Sequence, residues 1–124
     1  MFSHACRVVA WVCVLALAFY SLSPPALKVA AGGESLPNQI NHTAAYLVTS
    51  FALRWVYPGA SPLRTMLWLV MYGCLLEVLQ TFVPGRTPQV IDAAASALGA
   101  VIGAIIGLPL RAHLATWIAW SRKQ

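Results

Sequence analysis

The chain has 124 residues, of which 60% are hydrophobic and only 9% are charged, and its mean hydropathy is +0.73. Because soluble domains carry about 25% charged residues, this composition excludes an ordinary soluble domain and predicts a protein whose apolar surface faces lipid. The net charge is +5, but the basic residues stand singly at the ends of apolar runs, and the largest cluster is Arg122-Lys123. That distribution is typical of helix-end anchors, so nucleic acid is excluded as the predicted partner.

Four apolar runs, each closed by Pro, Gly or Ser residues, predict four transmembrane helices. The first run follows Arg7 and precedes a Pro-Pro pair, a pattern that also fits a signal peptide. A polar connector follows this run. The predicted spans are 8–22, 42–57, 66–83 and 90–108.

The segment after Pro109 has a different character from the four spans. It carries Trp117 and Trp120 beside three basic residues, and aromatic and basic residues concentrate at membrane–water interfaces. Because proline ends or kinks a helix, we expect the fourth span to stop near Pro109 and the tail to form a short interfacial helix. The predicted fold class is therefore all-α, an integral membrane bundle of about four transmembrane helices with a short C-terminal interfacial helix.

Basic residues also predict the orientation, because they concentrate on the cytoplasmic side of membrane proteins. With four spans, both termini and the turn after the second span share one side of the membrane. That side carries six of the eight basic residues, so both termini are predicted to be cytoplasmic. The six are Arg7, Arg54, Arg64, Arg111, Arg122 and Lys123, against Lys28 and Arg86 on the outer side.

The third span contains a carboxylate, Glu77, in an otherwise apolar stretch. It precedes Pro84 by seven residues, which places it roughly 10 Å from the outer end of its helix. An ionised carboxylate in hydrocarbon costs several kcal/mol, so it needs a partner, a proton or a water-filled cavity. Gln80 follows three residues later and shares its helix face.

Other polar residues lie at the outer ends of the neighbouring spans. His42 and Tyr46 are four residues apart at the start of the second span, Asp92 and Ser96 are four apart at the start of the fourth, and Arg86 lies in the loop between the third and fourth. Together with Glu77 and Gln80 they predict one polar cluster near the outer leaflet. Its candidate catalytic residues, for acid–base chemistry, are Glu77, Asp92 and His42, and its candidate binding residues are Arg86, Gln80, Tyr46 and Ser96.

A structural interpretation fits the same residues, since buried polar side chains hold membrane helices together by hydrogen bonds of about 1 kcal/mol each. An Arg86–Asp92 ion pair would close the loop, and Asp92 would favour the start of the fourth helix through its dipole. The sequence shows no Ser-His-Asp spacing, Gly-rich phosphate loop or zinc-ligand spacing. Neither a metal nor another cofactor is therefore predicted.

Small residues recur every four positions on the fourth span. Such a stripe lets two helix backbones approach closely, and it predicts a packed helix face. Asp92 and Ser96 lie beside the stripe, so the packed face is predicted to carry this polar pair. The stripe consists of Ala95, Gly99, Gly103 and Gly107.

The order of these motifs resembles the VanZ-like family, small bacterial membrane proteins named for a teicoplanin-resistance protein. The resemblance covers about residues 20–108 and implies a single domain, 1–124, in the bacterial inner membrane, with a link to cell-envelope glycopeptide sensitivity and antibiotic resistance. The family usually has Asp-Lys where this chain has Asn38-Gln39, and Asn where it has Ser96. The resemblance rests on His42-x-x-x-Tyr46, Glu77-x-x-Gln80, Pro84-Gly85-Arg86, and Asp92 with the glycine-striped helix.

The polar cluster and the resemblance to the VanZ-like family together predict a protein that binds or modifies an envelope lipid or a lipid-linked precursor. Arg86 and His42 would contact an anionic head group, and whether a reaction follows is open. One alternative is a non-catalytic structural or accessory subunit, in which the cluster locks the bundle and the tail or connector engages a membrane-protein partner. A second is a small proton-coupled transporter, in which Glu77 carries the proton and the glycine stripe joins two copies in a homodimer.

Overall fold

The computed structural model describes residues 4–30 and 37–121, and over these ranges it contains helices and no strands. The predicted all-α class is therefore confirmed. The helices are α1 (His4–Leu22), α2 (Pro25–Ala30), α3 (Asn38–Val56), α4 (Pro62–Gln80) and α5 (Val90–Ser121).

The third helix begins earlier than the sequence predicts. Pro37 precedes it with an extended backbone, φ −51° and ψ 142°, and α3 starts at Asn38, four residues before the predicted span. Part of the predicted polar connector is thus the first turn of α3. This difference matters for function, because it places two amide side chains, Asn38 and Gln39, at the end of the bundle that carries Asp92.

The fifth helix continues through Pro109, so the predicted break and the separate C-terminal helix are wrong. The backbone is helical from Val90 to Ser121, over 32 residues. Proline keeps φ near its helical value, but it lacks the donor for one hydrogen bond and its ring crowds the carbonyl four residues earlier. The remaining hydrogen bonds of this long helix outweigh that local cost, so the helix continues. At 1.5 Å per residue α5 is roughly 48 Å long, which exceeds a hydrocarbon core of about 30 Å.

Within the described ranges, three helices are long and apolar enough to cross a membrane: α1, α4 and the Val90–Gly107 part of α5. The third helix has 19 residues, like α1 and α4, but it is more polar. Its polar side chains lie mostly inside the bundle, with His42, Thr49, Ser50 and Arg54 all buried. A membrane crossing by α3, which corresponds to the second predicted span, stays a prediction.

The glycine stripe packs α5 directly against α3, which confirms the prediction of a packed face. A Cβ on Gly99 would overlap the backbone carbonyl of Thr43, and a Cβ on Gly103 would overlap that of Leu47. Such close approach lets side chains of one helix reach backbone carbonyls of the other. Two hydrogen bonds join the helices in this way: Thr43 Oγ1 donates to the Ala95 carbonyl at 3.2 Å, and Ser50 Oγ donates to the Ala100 carbonyl at 2.7 Å.

The first helix, α1, packs against α3 and α4. Its buried residues include Ala10, Val14 and Leu17. Tyr72 of α4 donates a hydrogen bond from its hydroxyl to the Val14 carbonyl at 3.0 Å. The contacts place the end of α1 beside the end of α4 and the starts of α3 and α5, so the four long helices alternate in direction.

Arg54, which the sequence suggests as an orientation signal, is fully buried near the end of α3. Its guanidinium donates to the Ala60 carbonyl in the turn between α3 and α4. Gly107 of α5 lies against it, since a Cβ there would be 2.7 Å from Arg54 Cβ. Arg54 therefore joins α3, the turn and α5 at the end of the bundle opposite the polar cluster.

Candidate functional site

Six of the seven predicted site residues are buried, and they come from α3, α4 and α5. His42, Glu77 and Asp92 are 4%, 9% and 3% exposed. They lie where α3 and α5 begin and α4 ends, so three helix termini surround them. The other three buried residues are Tyr46, Gln80 and Ser96.

A hydrogen-bonded chain connects the side chains of α3 and α5. His42 Nδ1 and Ser96 Oγ are 3.1 Å apart, and the Ser96 hydroxyl also hydrogen-bonds with Tyr46. The other ring nitrogen, His42 Nε2, lies 4.0 Å from Asp92 Oδ2. Ser96 therefore fixes the imidazole so that Nε2 faces the carboxylate.

Asp92 is held by the two amides at the start of α3. Gln39 Nε2 donates to Asp92 Oδ1 at 3.0 Å, and Asn38 Nδ2 donates to Oδ2. Asn38 and Gln39 are not among the predicted site residues, although Asn38 precedes His42 by four residues, the spacing of one helix face. They occupy the positions at which the resemblance expects Asp-Lys, so these two partners of Asp92 are neutral here.

Glu77 faces a cleft between α4 and the start of α5. Its Oε2 accepts a hydrogen bond from the Gln89 backbone N–H at 3.2 Å, which ties the α4–α5 loop to the carboxylate. The cleft has a volume of about 320 Å³, and its lining is mostly apolar apart from Glu77, Thr81 and Gln89. Val78 and Val90, which border it, are 59% and 89% exposed. The cleft therefore opens on the apolar surface of the helix bundle.

Arg86, the seventh predicted site residue, is bound to the end of α1. Its Nε donates to the Ser23 carbonyl at 3.3 Å, and Nη2 donates to the carbonyls of Ser21 and Tyr20 at 3.2 and 3.4 Å. A cation at a helix C-terminus also interacts favourably with the helix dipole. The structure therefore pairs Arg86 with α1 rather than with Asp92, although its charge still interacts with Glu77.

We expect Arg86→Met to destabilise the bundle by about 2 kcal/mol, because a cationic donor to buried carbonyls is lost while the apolar stem is retained. Thermal unfolding of the detergent-solubilised protein measures the change. Arg64→Met, at the exposed start of α4, is the matched control and should unfold like the wild type. An Arg86 variant as stable as this control would contradict the capping role.

The sequence profile of the VanZ/LLP1 family matches residues 7–111. The chain belongs to this family. No curated protein and no solved structure matches it. The VanZ/LLP1 match extends from α1 into α5 and contains all seven predicted site residues, and together with the three apolar helices it makes this a membrane protein of the VanZ type.

The polar cluster of this VanZ-type protein also has the composition of a metal centre. One nitrogen of His42 and one oxygen each of Glu77 and Asp92 lie within 4.8 Å of one another, and all three residues are buried. The sequence predicts no metal ligands, because the three residues lie on different helices and share no local spacing. The same three groups are those predicted for acid–base chemistry.

Proposed function

We propose that this protein binds the polar head group of an envelope lipid or lipid-linked precursor in the cytoplasmic membrane of a bacterium. The cleft between α4 and α5 carries the proposal, because it opens on the apolar outer face and reaches Glu77. A lipid would enter sideways from the bilayer, with an acyl segment in the cleft and its head group at the polar cluster. A volume of about 320 Å³ is at the lower end of the range for ligand pockets, so it fits part of a lipid.

Gln80 supports the presence of a polar ligand. It is 2% exposed, and its Nε2 has no hydrogen-bond acceptor in the described part of the chain. A buried donor without an acceptor costs about 1–3 kcal/mol, which a ligand oxygen at Gln80 would recover. In this proposal Glu77, Gln80 and His42 contact the head group, and Glu77 and Asp92 exchange protons with it if a reaction takes place.

The proposal places four crossings in the membrane and both termini in the cytoplasm. Since α3 has the length of α1 and α4 and alternates with them in direction, it traverses the same thickness. Its low hydropathy reflects polar residues that face the bundle interior, while outward residues such as Val48 are apolar and 54% exposed. On this topology the polar cluster lies in the outer leaflet.

Native mass spectrometry of the purified wild type and Glu77→Gln tests the proposal. The wild type should retain a defined lipid, and Glu77→Gln, with nearly the same shape, should retain at least about tenfold less while its thermal unfolding is unchanged, since losing one charged hydrogen-bonding contact costs roughly 1.5–3 kcal/mol. Arg64→Gln removes an exposed charge from the other end of α4 and should retain the lipid. Equal, nonspecific lipid in all three samples would contradict the proposal.

A structural or accessory role is the second candidate, and the contacts of Asp92 and Arg86 favour it. Asp92 joins α5 to α3 through two amides, and Arg86 joins the α4–α5 loop to α1. Such a protein would need the cluster for its fold alone. In that case Glu77→Gln should lower the unfolding temperature and leave the lipid content unchanged, which is the opposite of the result expected above.

A further inference from the structure

We infer that His42, Glu77 and Asp92 bind a divalent transition-metal cation, with Zn²⁺ the best match to the ligand set. The three ligand atoms come from three helices and lie within 4.8 Å of one another. Each residue is at least nine-tenths buried. A single position between α3, α4 and α5 is therefore surrounded by one imidazole and two carboxylates.

The geometry needs only a small contraction to hold the cation. Zn²⁺ binds His nitrogen and carboxylate oxygen at about 2.0–2.2 Å, so ligand atoms of a tetrahedral site are roughly 3.4 Å apart. Moving from 4.8 Å to that separation requires shifts of about 1 Å, which side-chain rotation of Glu77 and Asp92 supplies. Such movement leaves the helix backbones in place.

The orientation of His42 is that of a metal ligand. Metal-binding histidines usually hold their second ring nitrogen in a hydrogen bond, which fixes the tautomer and the ring plane. Here His42 Nδ1 is 3.1 Å from Ser96 Oγ, and Nε2 points towards Asp92 at 4.0 Å. Asn38 and Gln39 similarly orient Asp92.

Charge balance also favours a cation. Two buried carboxylates close together are costly unless a positive charge compensates them. Among the described residues, the hydrogen bonds to the Asp92 carboxylate come from the neutral amides of Asn38 and Gln39, and the Arg86 guanidinium donates to carbonyls of α1. A divalent cation with neutral His42 neutralises Glu77 and Asp92 together.

The ligand set selects the type of ion. Ca²⁺ and Mg²⁺ prefer all-oxygen sites, whereas imidazole mixed with carboxylate suits Zn²⁺. Three protein ligands leave a fourth position open, as in catalytic zinc sites. A phosphate oxygen of the head group would take that position, a step that rests on the proposed function; the metal site itself does not.

Calorimetric titration of the chelator-treated full chain with Zn²⁺ alone, in detergent and without added lipid, tests the inference. The wild type should bind one Zn²⁺ per chain, and His42→Gln and Asp92→Asn should each weaken binding by about 100-fold or more. His113→Gln, an exposed histidine on the far part of α5, should bind like the wild type. Ser96→Ala, which removes the hydrogen bonds of this hydroxyl to His42 and Tyr46 but no proposed metal ligand, should weaken binding by about tenfold.

The inference is overturned if the wild type binds no Zn²⁺, if the site variants bind like the wild type, or if His113→Gln loses the binding. Circular dichroism establishes that each variant is folded, and Ser96→Ala provides the test if the ligand variants are not. A protein that binds Zn²⁺ but retains no defined lipid keeps the metal site and loses the proposed function. A protein that retains a defined lipid but binds no Zn²⁺ keeps the proposed function and excludes the metal site.

Discussion

Gly99→Ala should strongly destabilise the packing of α5 against α3. A Cβ at this position would overlap the backbone carbonyl of Thr43 and approach the Leu47 backbone nitrogen at 3.0 Å. Overpacking by one methyl group typically costs 1–3 kcal/mol when side chains can adjust. Here the opposing atoms belong to the α3 backbone, which cannot adjust as a side chain does. We therefore expect the free energy of unfolding to fall by about 3 kcal/mol, or α5 to separate from α3.

Gly59→Ala is the matched control for this prediction. Gly59 lies in the turn between α3 and α4, where a new Cβ would have no atom within 4 Å, so its substitution should leave stability unchanged. Size-exclusion profiles and thermal unfolding in detergent compare the two variants with the wild type. A Gly99 variant as monodisperse and stable as the Gly59 variant would show that α3 and α5 do not approach as closely as in the structure.

The helix packing could be read from the sequence because it follows a strict local period. Small residues every four positions form one continuous stripe on a helix, and Gly99 and Gly103 contact α3 as that stripe requires. Asp92 and Ser96 lie next to the stripe and were therefore predicted to be inside. Both are 3% exposed, so the period alone placed them correctly.

The start of α3, in contrast, could not be predicted from a local sequence pattern. Residues Asn38 and Gln39 are polar and follow Pro37, a composition typical of a loop. They are helical because their side chains have a buried acceptor in Asp92, and that acceptor is more than 50 residues away in the chain. Local composition cannot contain this information, because the favourable energy comes from a tertiary contact.

The partner of Arg86 shows the same limit for electrostatics. From the sequence, Asp92, which is six residues away, is the predicted ion-pair partner of Arg86. The structure instead uses the carbonyls at the end of α1, 63 to 66 residues away. A helix C-terminus attracts a cation as a carboxylate does, but only the fold determines which helix end lies nearby. The grouping of His42, Glu77 and Asp92 likewise depends on the packing of three helices.

Asp92→Ala should destabilise the protein by about 2 kcal/mol, because the partly buried amide donors of Asn38 and Gln39 lose their acceptor and an unsatisfied donor costs about 1–3 kcal/mol when it is fully buried. Asp92→Asn keeps one acceptor oxygen and nearly the same shape, so we expect it to lose only about 1 kcal/mol. Thermal unfolding of both variants in detergent measures this difference. Thr116→Ala, on the exposed part of α5, is the control and should unfold like the wild type.

Comparing the two Asp92 variants separates the helix-joining role of this side chain from its role as a charge. If hydrogen bonds to α3 are its whole contribution, Asp92→Asn should lose only about 1 kcal/mol of stability and keep the Zn²⁺ affinity of the wild type. If the carboxylate is also a metal ligand, Asp92→Asn should remain folded and lose the cation, because an amide is a weaker, neutral ligand. An Asp92→Ala variant as stable as the Thr116 control would instead show that the amides of α3 do not depend on Asp92.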